Sequence, residues 1–368
     1  MAETLNTGVG NVRNVSRYLF SEGAICRLPD VLAFRREQGS NRVIFLLDEF
    51  FKENSKPVRQ LPFEAKDQLI YVSTKEEPTT DGIDTLVKQL RDDGVEDVCA
   101  VVGIGGGVTL DTAKAVSNLI TNGGRAADYQ GWDLVPGPGI YKVGIPTLSG
   151  TGAEATRTCV MTNKKNGLKL GMNSDYTVFD QLILDPVLTA TVPREQYFFS
   201  GMDAWIHCIE ALDGAYRNPI GDAFSRQAIS LCREVFSGGQ MMSDANRASM
   251  MVASYLGGCA IATSYVGVVH PFSAGLSVVL GLHHCVANCI VMAAMEPFYP
   301  EAFSEFLGFV ERNQVDLPRG VCAGLADKDF EALYQATVVH EKPLTNALGE
   351  NFRDILTPAR VRAVFESM

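Results

Sequence analysis

Short apolar runs alternate with helically spaced segments through the first half of this chain, and then stop. Arg42–Asp48, Gln68–Ser73, Val98–Gly103 and Tyr141–Pro146 have the length and composition of strands. Between them, Ile83, Leu86, Val87 and Leu90 recur at helical spacing over Asp84–Arg91, and Asp111–Ile120 has the same texture. Strand–helix alternation of this kind predicts a parallel sheet with helices on its faces. Beyond Asp185-Pro-Val-Leu-Thr189 the strand signals vanish. Helical patterns take over: Ser200–Leu212, Asp222–Phe236, Asp244–Tyr265, Cys285–Tyr299 and Lys328–Val339. The pattern predicts two domains, α/β over 1–189 and all-α over 190–368, and 368 residues are enough to give each its own core.

Charge and composition exclude some functions. The formal net charge is -11, whereas binding to a phosphate backbone relies on an excess of Lys and Arg, so nucleic acid is not an expected partner. No apolar run reaches the roughly 18 residues a membrane span needs. The most apolar stretch, Val266–Leu282, is broken by His270 and Pro271. The N-terminal residues are polar, without a basic and apolar leader pattern, so the expected location is the cytoplasm. Nine cysteines, loosely spaced and with no C-x-x-C pair, argue against a thiolate zinc ribbon and for buried, reduced thiols.

Three stretches carry chemistry. Gly103-Ile-Gly105-Gly106-Gly107-Val-Thr-Leu-Asp111 runs from a strand through three glycines into a helix. Glycine permits close approach of the backbone to a ligand, and the helix N-terminus offers N–H groups and a positive dipole end, so this turn suits a pyrophosphate. A tight βα turn with no ligand fits the same residues, and the G-x-G-x-x-G fingerprint is absent. Asp48, ending an earlier strand, is placed to accept a ribose hydroxyl and to favour NAD over NADP. A second loop after a strand, Thr147-Leu148-Ser149-Gly150-Thr151-Gly152, carries hydroxyls suited to a phosphate or carboxamide.

The third feature is the histidines, of which there are five. Asp203 and His207 stand four residues apart, which on a helix puts a carboxylate and an imidazole on one face. Taken alone, that spacing also suits a solvated Asp–His pair, and His270, in an apolar segment, suits a neutral core histidine. His284 lies fourteen residues further on. One carboxylate and three imidazoles, all in the helical half, make a donor set suited to Fe²⁺ or Zn²⁺.

These stretches carry a resemblance along nearly the whole chain. Gly105–Lys114, Ile145–Glu154, Asp185–Thr189, Gly201–Glu210 and His284–Asn288 resemble, in order and spacing, the motifs of the iron-containing (group III) alcohol dehydrogenases. The resemblance implies an α/β dinucleotide-binding domain followed by an all-α metal-binding domain, an architecture shared with dehydroquinate synthase-like proteins. It implies Asp203, His207, His270 and His284 as metal ligands. It implies Gly105, Gly106, Gly107 and the nearby Asp111 on the pyrophosphate side. It also implies Thr147, Ser149 and Thr151 near the phosphates and nicotinamide, and Lys169 at the nicotinamide-side ribose. The active site is then expected where the cofactor of one half meets the metal of the other, and a homodimer is expected.

The chain departs from that family at three positions. Val108 replaces a serine after the glycines, Ala274 replaces a histidine four residues past the third ligand, and His283 replaces a proline before the last. His283 is therefore the candidate catalytic proton relay. Trp205–Leu212, Tyr216–Phe224 and Tyr265–Leu276 are similar to the branch that oxidises C8 of 3-deoxy-D-manno-octulosonate (Kdo) in lipopolysaccharide biosynthesis, feeding an aminotransferase. Arg157, Arg194 and Arg217 are candidates for a sugar-acid carboxylate. A general short-chain alcohol or polyol dehydrogenase is an alternative. Against a dehydroquinate synthase-like cyclase stands Asp203 as first ligand, where that group resembles Glu. Against a non-catalytic binding module stands the intact ligand set.

Overall fold

In the computed structural model, residues 11–37, 41–52, 59, 61–95 and 97–368 are described. Contacts divide the chain into two units, one running to Thr191 and the other from Val192 to Met368, with Gly167–Lys169 grouping with the second.

The first unit is built on strands β1 (Arg17–Phe20), β2 (Val43–Asp48), β3 (Gln68–Val72), β4 (Ala100–Gly105), β5 (Gly131–Trp132), β6 (Lys142–Pro146), β7 (Thr158–Asn163), β8 (Leu168–Asn173) and β9 (Gln181–Leu184). Its helices are α1 (Leu28–Glu37), α2 (Thr80–Asp92) and α3 (Gly107–Asn122). Six strands form one sheet in the order β1-β9-β6-β4-β2-β3, every pairing parallel. The expected parallel sheet is therefore present. A three-stranded sheet, β5-β8-β7, lies outside the expectation. The inner strands are continuous apolar runs because both faces are covered: Val43, Phe45, Leu47, Val102, Ile104, Val143 and Ile145 are wholly buried. Gly103 permits this packing, since a Cβ there would stand 2.7 Å from the Ala113 Cβ on α3.

The second unit is helical: α4 (Arg194–Asp213), α5 (Pro219–Ser237), α6 (Asp244–Ser264), α7 (Val269–Leu280), α8 (His284–Met292), α9 (Pro300–Arg312), α10 (Asp327–Val338), α11 (Glu341–Leu348), α12 (Phe352–Ile355) and α13 (Pro358–Glu366). Several starts are written locally. The Asn218 side chain accepts from the N–H groups of Ile220 and Gly221 with Pro219 next, and Ser243 accepts from Asn246 N. Phe198, Trp205, Phe236, Phe272, Phe306 and Phe365 are buried in its core. Trp205 meets Phe309 edge-on at 5.8 Å between ring centroids.

Among the described residues no single helix is long and apolar enough to cross a membrane; α6 and α7 pass that test only as a pair, and the pair is bent by 105°. All nine cysteines are free, and seven are buried, but Cys26 is exposed and Cys99 half-buried, against the expectation that all are inside.

Candidate functional site

Four side chains from three helices converge in the second unit. Asp203 and His207 share a face of α4, one turn apart; His270 lies in the first turn of α7, and His284 opens α8. The chain reaches these positions through two residues of positive φ. Tyr265 (φ 61°) ends α6 and turns the chain toward α7, and Gly281 (φ 70°) ends α7 shortly before His284. Each side chain offers one donor atom, and the four atoms lie within 4.8 Å of one another.

The spacing tests whether an ion fits. Tetrahedral bonds of about 2.1 Å place ligand atoms about 3.4 Å apart. Asp203 Oδ1 is 3.6 Å from His207 Nε2 and 3.5 Å from His270 Nε2, and Asp203 Oδ2 is 3.6 Å from His284 Nε2. The set fits a small divalent cation. The His207 and His270 rings stack 4.6 Å apart, which two protonated imidazoles would resist.

Electrostatics agree with the spacing. Burial disfavours the charge on Asp203, yet His207, His284 and His270 together hold its carboxyl well below the usual carboxylate range. Burial, against the pull of Asp203, takes His207 down to about 3, leaving a neutral imidazole. His270 is also desolvated, but Glu210 and then Asp203 prevail and raise it to about 9. Two buried carboxylates thus face three imidazoles, an excess of negative charge that a dication offsets.

Glu210 and Asn288 are the functional residues that sequence reasoning passed over. Glu210 Oε2 pairs with His270 Nδ1, and Oε1 accepts from Val269 N at 2.6 Å, so one carboxylate fixes both the ring and the start of α7. The signal was present: Asp203, His207 and Glu210 follow an i, i+4, i+7 stripe. Asn288, one turn past His284, donates to Asp203 Oδ1. His340, at the start of α11, also had no assigned role; burial, then the nearby charges of Lys169 and His270, push it down to about 4. His283 is exposed at the N-cap of α8, and Ala274, one turn after His270, is buried.

The arginine candidates are already engaged. Arg157 pairs with Asp133 and, at 3.1 Å, with Asp175; Arg194 donates to the Asn313 carbonyl; Arg217 forms a two-point ion pair with Asp222 at 2.8 and 2.7 Å.

In the first unit, β6, β4 and β2 are adjacent and parallel, so their carboxyl ends share an edge. Asp48 ends β2, Gly105 ends β4, and Thr147 follows β6. That edge is where open α/β sheets bind nucleotides. Thr147 N donates to Gly105 O at 3.0 Å, and a Cβ on Gly107 would lie 3.2 Å from Thr151, so the two glycine-rich loops touch. Gly106 caps α3 without a side chain, and the first turn of α3 carries no acid, which leaves a helix N-terminus suited to an anion. Ser149 Oγ is buried with no hydrogen-bond partner among the described residues. Asp48 is half-buried, desolvation raises its pKa, and it accepts from Phe50 N at 3.0 Å. Asp111 accepts from Val160 N at 2.9 Å, which ties α3 to β7, and Lys169 is buried on β8.

The chain thus joins a parallel-sheet unit with glycine-rich turns at one edge to a helical unit in which one carboxylate and three imidazoles converge. Residues 15–186 match the family model for iron-containing alcohol dehydrogenase, and residues 198–316 match that for the C-terminal part of the Fe-containing alcohol dehydrogenase family. The chain belongs to the iron-containing alcohol dehydrogenase family. It is 35% identical over 222 residues to sulfoacetaldehyde reductase of Bilophila wadsworthia, across 59% of this chain and 56% of that protein. It is 31% identical over 269 residues to NAD-dependent methanol dehydrogenase of Bacillus methanolicus, across 70% and 68%. The first match thus spans little more than half of that relative. Among solved structures, a 1,3-propanediol oxidoreductase superposes with TM-score 0.81 at 21% identity over 98% of this chain and 99% of that one. Sulfoacetaldehyde reductase from Bifidobacterium kashiwanohense in complex with NAD+ gives 0.79 at 19% identity over 96% and 97%.

Proposed function

We propose that this protein interconverts a primary alcohol and its aldehyde, exchanging hydride with NAD, with a divalent iron or zinc ion at Asp203, His207, His270 and His284. The observation that carries this reading is the convergence of those four donor atoms. When bound, the ion supplies a Lewis acid to the alcohol oxygen, and NAD supplies the hydride acceptor. The chain's own groups do the rest. Glu210 holds His270 in register, and the buried carboxylate of Asp203 keeps the set anionic. Gly105, Gly106, Gly107 and the open end of α3 bind the pyrophosphate, with Thr147, Ser149 and Thr151 supplying hydroxyls and Asp111 bracing the turn. Asp48 accepts a ribose hydroxyl and disfavours a 2′-phosphate, which selects NAD over NADP. Lys169 serves the nicotinamide-side ribose. His283, exposed at the N-cap of α8, exchanges the proton with solvent.

The specific substrate proposed is C8 of Kdo, in lipopolysaccharide sugar biosynthesis with an aminotransferase downstream. The resemblance of Trp205–Leu212, Tyr216–Phe224 and Tyr265–Leu276 to that branch supports this choice. Two of these stretches touch: Tyr216 and Tyr265 meet edge-on at 5.4 Å. A short-chain alcohol or polyol dehydrogenase is the second reading, favoured by the methanol dehydrogenase relative. The protein is further proposed to be a cytoplasmic homodimer: edge strand β1 exposes Tyr18 and Phe20, a side suited to a second copy. The test is a cofactor-linked screen of primary alcohols, polyols and sugar acids, Kdo included, on metal-reconstituted protein. Activity confined to short alcohols removes the Kdo proposal, and NADH formation from no alcohol at all removes the dehydrogenase.

A further inference from the structure

The Asn288 carboxamide lies among the metal-binding atoms without being one of the four. It is fully buried on α8, one turn past His284. Its Nδ2 is 2.6 Å from Asp203 Oδ1 and 3.2 Å from both His270 Nε2 and His284 Nε2. Atoms of three of the four ligand side chains therefore lie within hydrogen-bond distance of one nitrogen. The orientation of the amide follows from the first distance, because a carbonyl oxygen that close to a carboxylate oxygen would repel it. Its Oδ1 is buried and has no hydrogen-bond partner among the described residues. A buried carbonyl without a partner costs free energy, so something at the nitrogen end must offset it.

We infer that Asn288 is a positioning residue of the metal site, whose amide fixes the rotation of the Asp203 carboxylate at ligating distance from the imidazoles. The inference rests on the metal reading above. Asp203 is wholly buried, so water does not hold its carboxylate in place. The short bond from Asn288 anchors Oδ1, and the same bond ties α8 to α4. Nδ2–H₂ adds no charge, and one of its two hydrogens goes to Asp203 Oδ1. A neutral donor on Oδ1 leaves the carboxylate its charge and its other lone pairs for an incoming dication. That pre-organisation is the source of affinity in such outer contacts. Leucine at this position would keep the approximate shape and remove the donor. Aspartate would keep the shape, remove the donor and add a negative charge beside Asp203.

The test is zinc binding by metal-stripped full-length protein, measured by competition with a chromogenic chelator, with the thermal midpoint of each metal-free variant recorded alongside. For Asn288→Leu the dissociation constant for zinc rises by about 10- to 100-fold, the range for lost partners of metal ligands. For Asn288→Asp the metal-free midpoint falls, and the rise produced by zinc exceeds that of the wild type. Asn288→Ala, which adds no bulk, is measured in the same way and decides the matter should the leucine variant fail to fold. A merely structural asparagine gives the opposite pattern: lowered metal-free midpoints with zinc affinity within twofold of wild type. That result overturns the inference and leaves the metal site standing, whereas a wild-type protein that binds no zinc overturns the metal reading itself.

Discussion

Replacing Glu210 with glutamine separates the effect of its charge from that of its shape. Glu210 is wholly buried, accepts from Val269 N at 2.6 Å and pairs with His270 Nδ1. A carboxamide has one acceptor oxygen, so Glu210→Gln leaves either the Val269 N–H or the His270 Nδ1–H facing an NH₂ group. A buried donor left unmatched costs about 1–3 kcal/mol. At about 1.4 kcal/mol per decade, that is about 5- to 150-fold in an equilibrium constant. The lost contact stands directly behind a ligand nitrogen, and such losses reduce metal affinity by about 10- to 100-fold. The pH dependence follows from His270, which Glu210 and Asp203 raise to about 9 despite its burial. Below that value the ion must displace a proton from His270 in the wild type, and removing the Glu210 charge relaxes this competition. The full loss is therefore expected near pH 9, and a smaller loss near neutrality. The assay is a chelator-buffered zinc titration at both pH values, with circular dichroism to confirm folding. Equal affinity of variant and wild type near pH 9, or a deficit that shrinks as pH rises, refutes the reasoning.

Gly105→Ala places a Cβ 2.6 Å from the Thr109 Cβ and Oγ1 at the nucleotide turn; a stability loss of about 1–3 kcal/mol and weaker NADH binding by fluorescence titration are expected, and unchanged binding contradicts that placement. Asp48→Asn removes the charge that disfavours a 2′-phosphate, so the NADP-to-NAD ratio of kcat/KM should rise by about tenfold, the worth of about 1.4 kcal/mol; a constant ratio shows that Asp48 does not read the ribose. His283→Ala should shift the pH–rate profile, and an unchanged profile removes His283 as a proton relay.

Much of this arrangement was legible in the sequence, for identifiable reasons. β2, β3 and β6 fall within a residue of expectation because their apolar runs are sharply bounded, whereas β4 starts two residues later and runs on into Gly105. β1 and β9, four residues each, are too short for period to distinguish them. α7 went unseen because it is apolar on nearly every side and shows no stripe. The helix expected over Cys285–Tyr299 ends at Met292, ahead of Pro297, which cannot continue it. Within the site, Asp203 and His207 declared themselves by helical spacing, and His270 and His284 by the rarity of histidine. Glu210 and Asn288 were hidden because their types are common and their partners are remote: Glu210 meets His270 sixty residues on, and Asn288 reaches back eighty-five to Asp203. The engagement of Arg157, Arg194 and Arg217 was likewise invisible until the chain was folded.

Anomalous diffraction at the metal edge, from crystals of protein reconstituted with iron or zinc, locates the cation without reference to activity. One peak per chain is expected, within bonding distance of a carboxylate oxygen of Asp203 and a ring nitrogen each of His207, His270 and His284. A fully loaded protein whose peak lies elsewhere, with those imidazoles turned to other partners, would contradict the account.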